Sequence, residues 1–363
     1  MRDGGVQFLW RNPGVAGGFR TGVCLHGHTM HSEECLWFLP RYLNLVPGMR
    51  LAMRGYQRAG VDFARAYWTP PLTPASALDL ERQQIGGLGL RAMVSLTDHD
   101  NIEAGLAVQV TADRRRVPLS VEWTVPYEQS VFHLGIHNLP RQWMSALAAY
   151  TSAPEEARLP ELLSALAAIP ETLIVLNHPF WLEEGVSEAA HRPALVRLLR
   201  ECGAWIHAFE MNGTRPWREN ADTVALGRAH SRPVVSGGDR HACEPAACLN
   251  LTNAATFAEF AAEVRAGEST VAFLPQYRES MAMRILEASW DILRPYPEYP
   301  GRERWTDRIF YRGEDGVARP LAAIWERGAP WMARAAAGIL ELAATHLRQA
   351  VRLLAMRRGE ALP

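Results

Sequence analysis

Histidine and carboxylate side chains recur in this sequence directly after a series of apolar segments. The candidates are His26, His28, Asp98, His99, Asp100, Glu122, His133, His137, His178, Glu210, Asp239 and His241. Neutral imidazoles combined with carboxylates are the ligands that zinc, manganese and iron prefer in proteins. A single histidine of this kind is usually a hydrogen-bonded core residue. Two pairs of residues spaced by two, His26/His28 and Asp239/His241, occur together with three further histidines, and core packing does not explain so many. We therefore predict a metal cluster.

Helical segments alternate with apolar strands from Pro74 to Phe273. The strands are continuous apolar runs, as expected for a parallel sheet that is covered on both faces. This alternation predicts an α/β fold, either a barrel or a doubly wound sheet. In both folds the carboxyl ends of the strands form the site, and the polar residues fall at those ends. Residues two apart on a strand point to the same side, so His26 and His28 can face one point.

The composition excludes several other classes of protein. The 363 residues carry 38 basic and 39 acidic side chains, and this near-balance argues against a protein that coats nucleic acid or an anionic membrane. There is no Lys, so lysine Schiff-base chemistry and a Walker-type phosphate lysine are excluded. The 5 cysteines form no CxxC pair and indicate reduced thiols in a cytoplasmic protein. We expect neither a signal peptide nor a membrane span.

Six short motifs occur in a characteristic order: HGHTMHSE, LTDHD, VE, FHLG, NHP and GGDRH. In this order they resemble the PHP (polymerase and histidinol phosphatase) family, over residues 22–275 or about 70% of the chain. The resemblance implies a distorted (βα)7 barrel that holds two or three divalent metal ions (Mn, Zn or Fe). It also implies hydrolysis of phosphoesters.

The resemblance implies a set of metal ligands when it is carried over residue by residue. The set is His26, His28, Glu33, His99, Glu122, His133, His178, Asp239 and His241. Within it, Glu122 matches the carboxylate that bridges metals. The segment after His133 is one residue shorter than in many members, so His137 is a rival for that position, and the spacing favours His133.

The sequence departs from the family pattern at two further positions. Cys24 stands where an Asp usually precedes the first ligand pair, which affects the support of the ligands more than the ligands themselves. Glu33 stands where many members have an Asp ligand, and either Glu34 or His31 is an alternative to it.

The predicted site also suggests how hydrolysis would proceed. A metal-activated hydroxide would attack the phosphoester, and Asp98 or His241 would protonate the leaving oxygen. Arg240 lies inside the Asp239–His241 pair and is a candidate clamp for phosphate. A structural salt bridge is the commoner role for an Arg in this position.

The chain is predicted to divide into two parts. Residues 1–275 form the barrel, with a lid-like insertion at about 34–72 in which Arg and aromatic residues alternate. Residues 276–363 form a helical extension that ends in an amphipathic helix over roughly 329–357. Leu340, Leu347 and Leu354 are spaced by seven on that helix, and such a stripe packs on the barrel or makes a homo-oligomer.

The leading functional hypothesis is a metal-dependent phosphoesterase that acts on a small phosphorylated metabolite or a nucleotide. One alternative is a 5'-3' exonuclease or oligonucleotide phosphatase, which the near-neutral charge disfavours. Another is a non-catalytic regulatory or scaffold protein with the same fold. A metal-dependent amidohydrolase would normally require a metal-bridging Lys, which this chain lacks.

Overall fold

A computed structural model of the chain describes residues 5–36, 65–111, 114–183, 185–325, 328–346 and 349. The chain divides into two compact units. Among the described residues, the first unit comprises 5–31 and 72–281, and the second comprises 32–36, 65–71 and 282–349, with the same gaps. Most of the predicted lid and the end of the predicted amphipathic helix lie outside the described residues.

The described residues form strands and helices in the following chain order. The strands are β1 (Val6–Phe8), β2 (Thr21–Cys24), β3 (Glu34–Cys35), β4 (Ala66–Trp68), β5 (Arg91–Val94), β6 (Ser120–Tyr127), β7 (Ser130–His137), β8 (Leu173–Asn177), β9 (Ala208–Asn212), β10 (Val234–Gly237), β11 (Cys248–Thr252), β12 (Val271–Phe273), β13 (Ile309–Arg312) and β14 (Ala318–Pro320). The helices are α1 (Pro74–Gly87), α2 (Glu103–Gln109), α3 (Met144–Ser152), α4 (Arg158–Ala167), α5 (Glu188–Cys202), α6 (Trp217–Ala229), α7 (Phe257–Arg265), α8 (Met281–Leu293), α9 (Trp305–Arg308), α10 (Leu321–Ile324) and α11 (Trp331–Thr345). None of the described helices is long and apolar enough to cross a membrane.

The first unit contains two mixed sheets of five strands each. Their strand orders are β1-β12-β11-β2-β5 and β10-β9-β8-β7-β6. The pairs β2–β5, β8–β9 and β9–β10 are parallel, while β6–β7, β7–β8 and β2–β11 are antiparallel. The fold is therefore α/β with several sheets. Neither sheet closes on itself among the described residues, so the (βα)7 barrel stays a prediction.

The expectation of purely parallel sheets is wrong in two places. β7 returns antiparallel to β6 through a tight turn in which Glu128 has a φ of 51°. β11 is antiparallel to both of its neighbours, and the sequence pattern did not indicate this strand. A continuous apolar run indicates burial on both faces, but it does not report the direction in which the strand runs.

The helices and strands between Pro74 and Phe273 follow local signals in the sequence. α1 begins with Pro74 in its first turn, and the Thr73 side chain accepts a hydrogen bond from the Ser76 N–H. α4 buries Leu159, Leu162, Leu163 and Leu166, which form one stripe at helical spacing. All of β8 is buried. These packed elements form the rigid frame from which the site residues project.

The second unit is built on a four-stranded antiparallel sheet with the order β14-β13-β4-β3. Among its described residues, Arg308 is a deeply buried charge that is 1% exposed. The Arg308 guanidinium donates to the carbonyl oxygens of Ile292, Arg294, Arg302 and Glu303. Ile292 lies in the last turn of α8 and Arg294 directly follows this helix, and the carbonyl groups at the carboxyl end of a helix attract a cation.

Candidate metal centre

The side chain of Glu122 on β6 lies at the centre of a histidine cluster in the first unit. Its Oε2 lies 2.9 Å from His26 Nε2, 3.2 Å from His28 Nε2 and 3.5 Å from His99 Nδ1. Its Oε1 lies 3.0 Å from His178 Nε2 and 3.5 Å from His133 Nδ1. Glu122 is 1% exposed, so five imidazoles surround one buried carboxylate.

Asp239 forms a second focus of the cluster. Its Oδ1 lies 3.6 Å from His26 Nε2, 3.5 Å from His28 Nε2 and 3.4 Å from His241 Nδ1. Glu210 on β9 lies on the far side of His26, with Oε2 2.7 Å from Nδ1. The Nε2 atom of His26 therefore faces the cluster while Nδ1 is held by a carboxylate.

Several groups of these side chains are close enough to share an ion. Potential ligand atoms lie within 4.8 Å of one another in the groups His26/His28/Asp239, His99/Glu122/His133 and His26/His178/Glu210. The same holds for the nitrogen atoms of His28, His99 and His241. Overlapping groups of neutral nitrogen and carboxylate oxygen suit zinc, manganese or iron, so the residues fit bound divalent metal.

Backbone conformation at the strand ends aims these side chains at the cluster. Asp239 has a φ of 50° and His178 has a φ of 24°, in the left-handed region that residues other than glycine rarely adopt. Such positions usually persist because the surrounding structure holds them, and they concentrate at functional sites.

The buried carboxylates of the cluster favour positive charge on the groups beside them. Burial disfavours the charged form of His26, but Glu122, Glu210 and Asp239 outweigh it and raise the pKa of His26 well above its usual value. Burial likewise opposes ionisation of Glu122, yet His26 and His99 hold the pKa of this carboxyl well below its usual range. A bound metal cation would compensate the negative charge of the same carboxylates.

One histidine of the cluster, His133, stays neutral. Burial lowers the pKa of His133 to about 3, although Glu122 acts in the opposite direction. A neutral imidazole keeps a lone pair for a metal.

The structure brings most of the predicted ligands to the cluster. Those that take part in its groups or contacts are His26, His28, His99, Glu122, His133, His178, Asp239 and His241. His137, the rival of His133, is 1% exposed and its Nδ1 lies 2.8 Å from the Ser95 hydroxyl. The structure thus gives His137 a partner in the core, and the choice of His133 stays a prediction.

Two other predicted site residues, Glu33 and Asp98, have different partners. In the second unit, Glu33 pairs with Arg312 and has a side chain 51% exposed. Glu34, an alternative to Glu33, is 8% exposed and accepts from the Ser32 hydroxyl. The ligand role of Glu33 stays a prediction. Asp98 is 1% exposed and accepts from the amide and the hydroxyl of Thr29.

The guanidinium of Arg240, a candidate clamp for phosphate, forms a buried ion pair with Glu81. The Arg240 Nε atom lies 3.0 Å from Glu81 Oε1, and the residue is 4% exposed. A guanidinium held in this way faces the protein interior. The commoner structural role therefore agrees better with the geometry than the clamp does.

The structure also places the strand-end residues Asn177 and Asn212 at the cluster, together with Arg215, which the sequence did not single out. Asn177 donates to Glu122 Oε1 at 3.0 Å, and Asn212 donates to both Glu210 Oε1 and Asp239 Oδ2. Arg215 Nη2 lies 3.5 Å from Asp239 Oδ2. Arg215 follows the end of β9 by three residues, and that position is the one signal that could have identified it.

Gly237 makes the contact between Glu210 and His26 feasible. A Cβ atom at this position would lie 1.9 Å from Glu210 Oε2, which is far inside contact distance. We expect Gly237→Ala to displace the Glu210 carboxylate from His26 and to weaken metal binding by about 10- to 100-fold. Titration calorimetry of Mn²⁺ into the metal-free protein measures this.

Gly86→Ala in α1 is the matched control, because a Cβ there meets nothing within 4 Å. This variant should bind Mn²⁺ as the natural protein does. Equal Mn²⁺ affinity in both variants would show that the position of Glu210 has no effect on the site.

Comparison with known proteins finds likeness only at the level of three-dimensional structure. No protein-family model and no curated protein sequence matches the chain. Among solved structures, PsfC from Pseudomonas syringae aligns with 56% of this chain and 83% of its own, at 15% identity and a TM-score of 0.36.

Two further solved structures show a similar degree of likeness. A protein described as a metal-dependent phosphoesterase, from Bifidobacterium adolescentis, covers 47% of this chain and 83% of its own, at 14% identity and a TM-score of 0.32. An amidohydrolase from Chromobacterium violaceum covers 48% and 84%, at 16% identity and a TM-score of 0.33. Likeness this weak carries no conclusion about activity, so function must be inferred from the cluster itself.

Proposed function

We propose that the protein is a metal-dependent phosphoesterase that hydrolyses a small phosphorylated metabolite or a nucleotide. The observation that carries this proposal is the buried cluster around Glu122 and Asp239, with the cation of Arg215 at its edge. Many buried imidazoles and carboxylates at one place are costly unless an ion or a reaction uses them.

The ligand groups define which residues would hold metal. One ion would be held by His26, His28 and Asp239, and a second by His99, Glu122 and His133. His178 and His241 belong to further groups that share histidines with these two. When bound, the ions would polarise the phosphoryl oxygens and activate water near neutral pH. Glu122 would keep the two ions together, because one of its oxygens lies near His26 of the first group and the other lies near His133 of the second group.

Arg215 is the residue that we assign to the phosphate. Its Cζ atom lies 3.7 Å from the centroid of the Trp181 ring, and its side chain is 18% exposed. Stacking on an aromatic face fixes the plane of a guanidinium while its N–H groups remain directed at an anion. Arg215 Nη2 and the Thr214 hydroxyl both approach Asp239 Oδ2, which places the cation beside the predicted metal ligands.

His241 is better placed than Asp98 to move a proton at the leaving oxygen. Its side chain is 27% exposed, and its Nδ1–H donates to the Asp239 carbonyl at 3.0 Å. The lone pair of the ring therefore lies on Nε2. Asp98 is buried and already accepts two hydrogen bonds from Thr29.

The proposal includes a closed barrel of the PHP type. Two isolated parallel bridges support it, because each joins the end of a strand in one five-stranded sheet to the other sheet: Gly27 with Arg240, and His99 with Glu122. These bridges lie at the cluster, as expected for a site at the carboxyl ends of barrel strands.

The proposal is tested by metal analysis and a substrate panel. Purified protein should contain divalent metal and should hydrolyse phosphomonoesters or phosphodiesters when Mn²⁺ is supplied. His26→Ala/His28→Ala should lose both properties. Activity confined to 5'-phosphorylated oligonucleotides would support the nuclease alternative, and metal-free, inactive protein would contradict the proposal.

Arg215→Met should lower kcat/KM for a phosphomonoester by about 100-fold, because the cation that meets the developing charge is lost. Arg218→Met is the matched control, since Arg218 is an exposed residue on the neighbouring α6. Its kcat/KM should remain within about twofold of the natural protein. A normal kcat/KM for Arg215→Met would remove Arg215 from the phosphate site.

A further inference from the structure

The two ligand pairs of the cluster run side by side through their backbones. The Asp239 amide donates to the His26 carbonyl at 2.9 Å, and the His28 amide donates to the Arg240 carbonyl at 2.9 Å. Gly27 and Arg240, the middle residues of the two pairs, form a parallel bridge. The register of these two short segments therefore sets the relative positions of the ligands at 26, 28, 239 and 241.

A buried ion pair supports this register from beside the backbone. Arg240 extends past Gly27, where an added Cβ would lie 3.4 Å from its Nη2 atom. Its Nε donates to Glu81 on α1 at 3.0 Å, and its Nη1 donates to the Ala242 carbonyl at 3.1 Å. The Glu81 carboxylate also accepts from the Ala246 amide, at 3.2 and 3.3 Å. One carboxylate thus binds both the start and the end of the segment that follows β10.

Stability alone gives little reason for this pair. Glu81 is 1% exposed and Arg240 is 4% exposed, so both charges have lost their hydration. Buried ion pairs are often no more stabilising than apolar residues of similar volume, but they hold a defined geometry. The geometry held by this pair is that of the segment bearing Asp239 and His241.

We propose that Glu81 and Arg240 are positioning residues that keep the two ligand-bearing segments in register and thereby set the metal affinity. Neither side chain is among the potential ligand groups. This inference rests on the proposed metal centre, and it assigns Arg240 a function that requires no contact with substrate.

Three variants test the inference. Glu81→Gln keeps the shape of the side chain but removes its charge, and Arg240→Met removes the cation. The double variant Glu81→Met/Arg240→Met removes both charges together, which avoids a lone buried charge and should recover much of the thermal stability lost in the single variants. All three should bind Mn²⁺ about 10- to 100-fold more weakly than the natural protein.

A second measurement needs no metal. Hydrogen exchange of the metal-free protein reports on the amides of His28 and Asp239, which the register protects. These amides should exchange faster in all three variants, while the amide of His207, which donates to the Ile174 carbonyl in the same unit, should not change.

Arg265→Met is the matched control. Arg265 is a half-buried residue whose guanidinium donates to the carbonyls of Ala167, Ile169 and Thr172, away from the cluster. This variant should lose thermal stability without a change in Mn²⁺ affinity. A double variant that binds Mn²⁺ normally, or single variants that behave like Arg265→Met, would overturn the positioning role and leave the phosphoesterase proposal intact.

Failure of the proposed function itself is distinguishable. If the natural protein binds no metal, the phosphoesterase proposal fails, and the exchange data alone decide the register. Faster exchange at His28 and Asp239 would then support the role of the pair in register, and unchanged exchange would overturn it.

Discussion

Glu122→Gln is expected to lower kcat/KM for phosphoester hydrolysis by at least about 1,000-fold, equivalent to about 4 kcal/mol of transition-state stabilisation. The carboxylate faces five imidazoles through its two oxygens, and Gln would replace one oxygen with an NH2 group that cannot accept a hydrogen bond or bind metal. The loss of one negative charge would also leave the cluster with less attraction for a dication. Steady-state kinetics with Mn²⁺, together with the metal content of the variant, measure both effects.

The matched control for this prediction is Glu128→Gln. Glu128 lies in the β6–β7 turn of the same hairpin and pairs with Arg197 near the surface. Its replacement should leave kcat/KM within about twofold of the natural value, because exposed ion pairs contribute little. If Glu122→Gln retained more than a tenth of the natural kcat/KM with its metal content intact, Glu122 would not be the centre of the site.

Metal removal is expected to abolish hydrolysis and to destabilise the protein. A ligand present at 1,000 times its dissociation constant stabilises the folded state by about 4 kcal/mol, and chelation removes that contribution. The thermal midpoint of the chelated protein should therefore fall and should recover when Mn²⁺ is restored. Calorimetry of the same sample before and after chelation measures the change.

The affinity for Mn²⁺ should also depend on pH in a defined direction. In the metal-free cluster, the carboxylates outweigh burial and raise the pKa of His26 well above its usual value, so both ring nitrogens of this residue carry a proton. Metal binding must release one of these protons, and the affinity should therefore fall as the pH is lowered. Equal affinities at pH 6 and pH 8 would contradict this linkage.

The low pKa values of Glu122 and Asp239 stabilise the folded protein, and this contribution, like the Mn²⁺ affinity, should fall as the pH is lowered. Burial opposes the ionisation of both carboxyls, but His26 and His99 lower the pKa of Glu122, and His241 and His26 lower the pKa of Asp239. A carboxyl whose folded-state pKa is depressed stabilises the protein above its unfolded-state pKa and loses that contribution as the pH falls towards its folded-state value. The metal-free protein should accordingly lose this stabilisation in acid.

A variant that cannot bind metal is the control for the stabilisation by Mn²⁺ and for its dependence on pH. His26→Ala/His28→Ala should have a thermal midpoint that Mn²⁺ does not raise, at any pH in this range. If Mn²⁺ stabilised this variant as much as it stabilises the natural protein, the ion would bind outside the cluster.

Much of the first unit was predictable because its signals are local. The cap at Thr73 and the leucine stripe of α4 lie within single helices, and the apolar run of β8 lies within one strand. Residue type is equally local, and the two pairs spaced by two residues predicted that their side chains share one site. In the structure His28 Nε2 lies 3.2 Å from Glu122 Oε2 and 3.5 Å from Asp239 Oδ1, and the ligand roles stay a prediction.

Other parts of the site depend on partners that are distant in the chain. The sequence left open whether Arg240 faces substrate. Its partner Glu81 lies on α1, and no spacing within the GGDRH motif indicates where that helix packs. Arg215 reaches Asp239 because Trp181, which follows a different strand, holds its guanidinium. The direction of β7 and β11 was open for a similar reason, since an apolar run is buried equally well in either direction.

The sequence by itself determined the chemistry that is available: neutral imidazoles and carboxylates at strand ends, no lysine, and a balanced charge. Only the tertiary structure decided which of these groups meet. The structure places Glu122 among five histidines and Arg215 beside Asp239. It also brings Glu210 into contact with His26, in a space that the absence of a side chain at Gly237 leaves open. The physical reason is that residue type and periodicity act within a few residues, whereas ligand geometry results from the packing of strands and helices that are far apart in the chain.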